Sequence, residues 1–422
     1  MNALGVALAT DSALTIGGHA GTKIYNSADK LFLLSETAPV AAMLCGGTAI
    51  QDAPWEMLIK EYRQQNVRAL RTVRDFARDF LAFVERRSAL FPPEVQEAAV
   101  LRHVGLAVGA LRASVERKLR QYMDEHGQLS ESEARRLLAR LLGSEIEQLR
   151  RDNRRGKLLA RPLGTAALRR RYRPAVLRAL REALANTPLG RAGYEQLADL
   201  VFDRLRRAVF MPDATGLVMA GFGVAEHFPS MVELVVGDVV AGKLRWAERG
   251  RDAISHSKAA IIRPFAQSEM VYSFMEGIDP RLEELTKQVV AGLVAELANK
   301  AVTQLPGLSK QRMSTMVRRM RQYVQGALPP LWDVLERFRH EEFSAPVTSM
   351  VAFLPKSELG AMAEALVNLT SFRRRVAAEE ETVGGPIDVA VITKGDGFVW
   401  VRRKHYFEPD LNPRQIARHY RV

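Results

Sequence analysis

The sequence predicts an α+β protein in which antiparallel sheets carry helices on their outer faces. β-branched and apolar runs stand at both ends of the chain, and long stretches with apolar residues three or four apart lie between them. Their order is strands, helices, strands, helices, strands, which is not the alternation of a βαβ fold. At 422 residues, 47% of them hydrophobic, the chain can bury a large core. One domain enlarged by insertions accounts for that length, since no repeat or low-complexity linker divides it.

Residues 5 to 50 alternate and branch as strands do, first in GVALATDSALTI, then after a Gly-rich connection in KIYNSADKLFLLS and PVAAMLCGG. From Trp55 the period changes. WEMLIKEYRQQ, VRDFARDFLAFVERR and SESEARRLLARLL place residues 52 to 209 mainly in helices. Asp52-Ala53-Pro54 suits an N-cap and first turn, and Phe91-Pro92-Pro93 and Asn186-Thr187-Pro188 read as breaks. Ser130 and Glu133 have the spacing of a capping box. Strands return at TGLVMAGFG and MVELVVGDVVAGKLRW. Further amphipathic helices follow, with Leu328-Pro329-Pro330 expected to interrupt them. GGPIDVAVITKGDGFVWV closes the pattern as a hairpin turned by Lys394-Gly395-Asp396-Gly397.

Composition limits the function classes. The single cysteine, Cys45, sits in an apolar run and reads as a small buried hydrophobe, so no disulfide forms within the chain and a reducing, cytoplasmic setting is expected. No basic region followed by an apolar stretch opens the chain, and no run of spanning length stands out, so no membrane partner is predicted. The histidines lack ligand spacing, and GGHAG at 17 to 21 lacks the ending of a phosphate loop; neither a metal nor another cofactor is expected. The free use of Arg, Ala and Leu fits a bacterial genome rich in GC.

The net charge is +13, and residues 148 to 181 hold a dense arginine cluster, Arg169-Arg170-Arg171 among them, in which Asp152 is the one acid. Such a surface can attract nucleic acid. A solvated helical face or a subunit contact is the favoured reading. The basic and aromatic tail from Arg402 onward could suit RNA stacking, and packing on the domain or on a neighbour is the favoured reading.

Several of these segments, in order, resemble a proteasome-type β subunit of the N-terminal-nucleophile (Ntn) hydrolase superfamily. They are the run Gly5 to Ser12 ending in Asp11-Ser12, then Lys30, then Gly46-Gly47 before a helix opening at Trp55-Glu56, then TGLVMAGFG, AQSEMVYSFMEGI, and Gly384-Gly385 with the terminal hairpin. NSADKLFLLS, PFAQSEMVYSFMEGI and ETVGGPIDVAVITKGDGF are similar to a bacterial group of larger proteasome-like proteins. The resemblance implies an αββα four-layer sandwich with its core at about 1–63, 210–281 and 351–422, and helical insertions at 64–209 and 282–350.

It also implies a chemistry. An Ntn hydrolase attacks a carbonyl with the side chain of an amino-terminal Thr, Ser or Cys, assisted by its own amine. The resemblance gives Lys30 the role of lowering the nucleophile's pKa and Asp11 that of holding the lysine charged. Gly46 would present an oxyanion-binding N–H, a role compatible with a tight turn there. Ser268 would bind the amine, or alternatively cap the helix starting at Glu269. Glu380 stands where the family usually has an aspartate.

The departure is at the start. Fewer residues precede Asp11 than the family places before that aspartate, and Met1-Asn2 offers no nucleophile, so the nucleophile-bearing start of the first strand is expected to be missing. The leading expectation is an amidohydrolase, a peptidase acting on a peptide or amide, which assembles as a homo-oligomer. The alternative is a catalytically silent scaffold that self-assembles or binds a polyanion such as nucleic acid.

Overall fold

The computed structural model describes residues 1–18, 21–65, 68–265, 268–304, 309–376 and 384–414. It is mixed, with helices and several antiparallel sheets. In chain order the strands and helices are β1 (Val6–Thr10), β2 (Leu14–Gly18), β3 (Gly21–Tyr25), β4 (Leu31–Leu33), β5 (Val40–Gly46), β6 (Ala49–Ile50), β7 (Ala53–Pro54), α1 (Trp55–Gln65), α2 (Val73–Arg86), α3 (Pro93–His126), α4 (Glu131–Arg155), α5 (Thr165–Ala183) and α6 (Arg191–Leu205). There follow β8 (Thr215–Gly221), β9 (Ser230–Val240), β10 (Lys243–Ala253), α7 (Glu269–Glu276), α8 (Pro280–Thr303), α9 (Lys310–Arg339), α10 (Ala345–Val351), α11 (Lys356–Val376), β11 (Asp388–Thr393) and β12 (Gly397–Arg402).

The chain divides into two compact units. The first comprises 1–28, 227–229 and 253–422. Its sheet has the order β1-β11-β12, all antiparallel, so the two ends of the sequence meet as neighbouring strands. β1 pairs from Val6 opposite Ile392 to Thr10 opposite Asp388. The strands come so close at Gly5 that an added Cβ would stand 2.4 Å from the Ile392 carbonyl oxygen. Helix α11 packs on this sheet, where Gly360 leaves room for Val391. Asn2, fully buried, ties the start of β1 down by donating from Nδ2 to the carbonyls of Val351 (3.0 Å) and Leu354 (2.9 Å).

The second unit comprises 29–226 and 230–252. Its sheet runs β10-β9-β8-β5-β4. One face receives α1 and α2, and Trp55, Leu58, Ile59, Phe76 and Phe80 build its core with residues of β5, β8 and β9. A capping box starts α2, in which Thr72 and Asp75 satisfy each other's backbone N–H groups. Helices α3 to α6 form a second core around Val100, Leu111, Tyr172 and Phe202. They are bolted to the sheet at the β9–β10 turn, where Gly242 N donates to Gln96 Oε1 (2.9 Å) and Ala241 N to the Tyr172 hydroxyl (3.1 Å).

Three local expectations need correction. Asp52 is not an N-cap. It turns a short β6–β7 hairpin with Gln51, both residues having positive φ, and the helix begins only at Trp55. Leu328-Pro329-Pro330 does not interrupt the helices, since α9 runs through both prolines. A proline fixes a φ compatible with helix, so what it costs is hydrogen bonding and steric fit, which a long helix can carry. The Gly-rich connection at 17 to 21 is in part strand, as β2 and β3 pair antiparallel from Leu14 opposite Tyr25 to Gly18 opposite Gly21.

The Ser130–Glu133 capping box forms as expected at the start of α4, and the breaks before Pro93 and at Pro188 both fall between helices. Cys45 is half-buried. One described helix, α3, is long and apolar enough to cross a membrane, although no run of spanning length stood out in the sequence. Val100, Val104, Val108 and Leu111 of that helix are core residues of the second unit.

Candidate functional site

Two of the residues singled out from the sequence share one sheet. Lys30 directly precedes β4 and is buried, and its carbonyl accepts from Leu44 N of β5 at 2.8 Å. Two residues beyond Leu44 along β5, Gly46 ends the strand with φ +79°. A side chain there would adopt a conformation that L-residues avoid. Gly47 follows under tighter constraint, since a Cβ would lie 2.6 Å from the Asp213 carbonyl oxygen. The turn is held by a relay in which Trp55 Nε1 donates to Thr215 Oγ1 at 2.8 Å and that hydroxyl donates to the Gly47 carbonyl at 2.8 Å. Thr215 is the strand partner of Gly46 on β8. The indole, the hydroxyl and the glycine pair thus fix the backbone at the end of β5.

Asp11 and Ser268 belong to the other unit. Asp11 follows β1, and its Oδ2 accepts from the backbone N–H groups of Ala13 (3.1 Å) and Gly384 (3.2 Å). The same junction is tied by Ser12, whose N–H donates to the Gly384 carbonyl (3.2 Å) and whose hydroxyl donates to that of Pro386 (2.6 Å). The last glycine pair and the end of the first strand are therefore one local structure. Gly385 has φ +77° and presses on Asn26, where a Cβ would meet Asn26 Cβ at 2.7 Å. Ser268 precedes α7 without capping it by its side chain, and it lines an open cleft of about 550 Å³ with Tyr272, Arg281, Glu284 and Gln288. Glu380, and the tail beyond residue 414, lie outside the described residues.

The hydroxyls closest in sequence to Asp11 are committed elsewhere. Thr10 and Ser12 are both buried and donate to backbone carbonyls, Thr10 to that of Asp11 at 3.2 Å. The arginine cluster is partly neutralised within its own unit, with Arg169 paired to Asp199 (2.7 Å) and Arg173 to Glu195 (2.5 Å) across α5 and α6. Arg170 and Arg171 are exposed.

Sequence reading missed a buried ionic cluster in the second unit. Arg245 of β10 is fully buried, and its Nε donates to the Leu205 carbonyl (2.7 Å) and its Nη2 to that of Val209 (2.8 Å), so it satisfies the carboxyl end of α6. Asp238 of β9 balances it, taking His103 Nε2 at 2.9 Å and Arg102 Nη2 at 2.9 Å. Arg245 Nη1 also lies 3.1 Å from that Nε2, which can donate to Asp238 or accept from Arg245 but not both, and His103 Nδ1 is a buried nitrogen with no hydrogen-bond partner. Burial lowers the His103 pKa, and burial lowers that of Arg245 to about 10. Hydrogen bonding and charge from His103, Arg245 and Arg102 outweigh burial at Asp238 and hold its carboxyl below the usual range. No sequence signal distinguished these residues, because 135 positions separate the histidine from the aspartate. The cluster has no hydroxyl or thiol nucleophile in it, and its geometry is that of a structural clamp. Among the described residues no group of three His, Cys, Asp or Glu side chains is arranged to hold a metal.

No family model, no curated protein and no solved structure matches this chain.

Proposed function

We propose that the chain is an amide-bond hydrolase of the Ntn, proteasome-like type, acting on peptides or related amides. The observation that carries the reading is the placement of Lys30 beside β5, buried at the edge of the strand whose end turns left-handed at Gly46. A buried lysine favours deprotonation of a nearby nucleophile through its charge, and a glycine N–H at a fixed turn can meet a developing oxyanion. Support also comes from the junction of Asp11 with Gly384 and from the two antiparallel sheets, which are the material of an αββα sandwich. The stacking of those sheets as two inner layers is part of the proposal, as is a homo-oligomeric assembly.

The test is hydrolysis of a pool of fluorogenic peptide amides by the full protein, by Lys30→Ala and by Lys30→Arg. Turnover that falls by about 10³-fold or more in Lys30→Ala is expected, as for loss of a group that activates the nucleophile. Turnover indifferent to both substitutions would overturn the reading.

A second reading is that of a silent scaffold, favoured by one set of observations. Asn2 is fully buried with its amide engaged, and the Thr10 and Ser12 hydroxyls serve the backbone. Absence of turnover across the pool, with the fold intact, would favour it.

A further inference from the structure

Helices α8 and α9 form an antiparallel hairpin in the first unit. Its register is set near the base by Arg339, which holds Glu283 with both Nη atoms (2.7 and 3.0 Å), and by Lys287 Nζ, 5.9 Å from the Trp332 ring centroid. Both helices carry large apolar side chains at steps of three and four. On α8 these are Leu282, Leu285, Val289, Leu293 and Leu297, each 49% to 64% exposed; on α9 they include Met316, Met320, Tyr323, Leu331, Val334 and Phe338, each 42% to 79% exposed. Among the described residues of the two helices only Val302 is buried. Two amphipathic helices that bury so little are half of a bundle, because packing of the apolar face and not helix propensity supplies most helical stability in water.

We propose that this face is covered by the same hairpin of a second copy of the chain, closing a two-fold four-helix bundle. The apolar area on offer is about 900 Å² if a dozen large side chains are each about half exposed, which matches what one partner contributes to a standard interface and exceeds the largest patch of a typical monomer. The charges set the orientation. From 310 to 327 α9 has no acid, and Arg312, Arg318 and Arg319 make the tip half basic, whereas Glu284, Asp333 and Glu336 are exposed near the base. Pairing tip to base puts each basic tip along carboxylates of the other copy, and pairing tip to tip stacks like charges. An anionic membrane is the weaker fit, because α8 balances its basic residues with Glu283, Glu284 and Glu296 and so lacks the basic polar face that such a surface selects.

Sedimentation velocity of the full chain, from about 1 to about 100 µM, reads the state directly. The wild type is expected to be dimeric, and the double variant Val289→Glu/Leu293→Glu monomeric, with the dimer Kd raised by about 100-fold or more. Both sites are about half exposed, so far-UV circular dichroism and the thermal midpoint of the variant should match the wild type. If they do not, Phe338→Glu, on the other helix, serves as the second variant. Disulfide trapping in a Cys45→Ala background tests orientation: a mixture of Glu284→Cys and Arg319→Cys chains should cross-link, and Arg319→Cys alone should not. A wild type monomeric at about 100 µM, a dimer unaffected by either set of glutamates, efficient cross-linking of Arg319→Cys to itself, or flotation of a monomer with phosphatidylserine-containing vesicles would overturn the proposal.

Discussion

Trp55 Nε1 stands 2.8 Å from Thr215 Oγ1, and through that hydroxyl the first residue of α1 governs the carbonyl of Gly47. Both side chains are buried, so neither polar group has water to fall back on. Thr215→Val keeps the shape and removes the relay, leaving an indole N–H and a carbonyl without their partner. A loss of about 3 kcal/mol is expected from urea unfolding, and Thr215→Ser should recover most of it. A valine variant as stable as the wild type would mean that the turn at Gly46-Gly47 is held by other contacts.

Gly46→Ala should cost about 1 to 2 kcal/mol through its positive φ, and the new Cβ would press on the Ala214 carbonyl oxygen at 3.3 Å. Gly47→Ala should cost more. Its Cβ would come within 2.6 Å of the Asp213 carbonyl oxygen, in the turn that leads into β8. Thermal unfolding of the two variants checks the order.

Arg245→Met should destabilise the second unit by about 3 to 5 kcal/mol, the cost of leaving buried Asp238 with Arg102 as its remaining arginine partner and the carbonyls at and after the end of α6 unsatisfied. Combining it with Asp238→Leu should recover part of that loss, since removing both charges is less costly than removing one. Denaturant titration of both single variants and the double variant measures the coupling. Additive losses would show that the ion pair is not the source.

Stability should fall as the solution becomes mildly acidic, and His103 should be responsible for a separable part. Its folded pKa is depressed by burial, so below the unfolded value of about 6.5 the unfolded chain binds a proton that the fold refuses, and stability present above that pH is lost as pH falls toward the folded pKa. The groups facing the imidazole are Asp238, Arg245 and Arg204. The slope from this one group cannot exceed about 1.4 kcal/mol per pH unit. His103→Gln, whose Nε2 can still donate to Asp238, should flatten the profile between about pH 6.5 and 5, measured as the difference from wild type. A profile unchanged by that substitution would assign the acid sensitivity to other histidines.

Local pattern made most elements legible, and local pattern also set the limits. The capping box at Ser130, the apolar β-branched run of β11 and the helical period after Trp55 are short-range signals that the structure carries unchanged. Asp52 failed because the same Asp-Ala-Pro that can open a helix can follow a left-handed hairpin turn, and only the pairing of Ala49 with Pro54 decides between them. Pro329 and Pro330 failed because a proline's cost is weighed against a helix of thirty residues that it does not outweigh. At the candidate site, Lys30 and Gly46 were recognisable from order along the chain, whereas the Thr215 relay and the Arg245 cluster join residues more than a hundred positions apart. Those partnerships exist only in three dimensions.

The central claim is that a nucleophile is activated beside Lys30 and Gly46, and covalent capture tests it most directly. The full protein is treated with a peptidyl β-lactone or boronate-type electrophile, and intact mass followed by peptide mapping locates any adduct. The account predicts one adduct per chain, with a labelling rate that falls by about 10²-fold or more in Lys30→Ala. Labelling that ignores Lys30, or no adduct on folded protein, would contradict it.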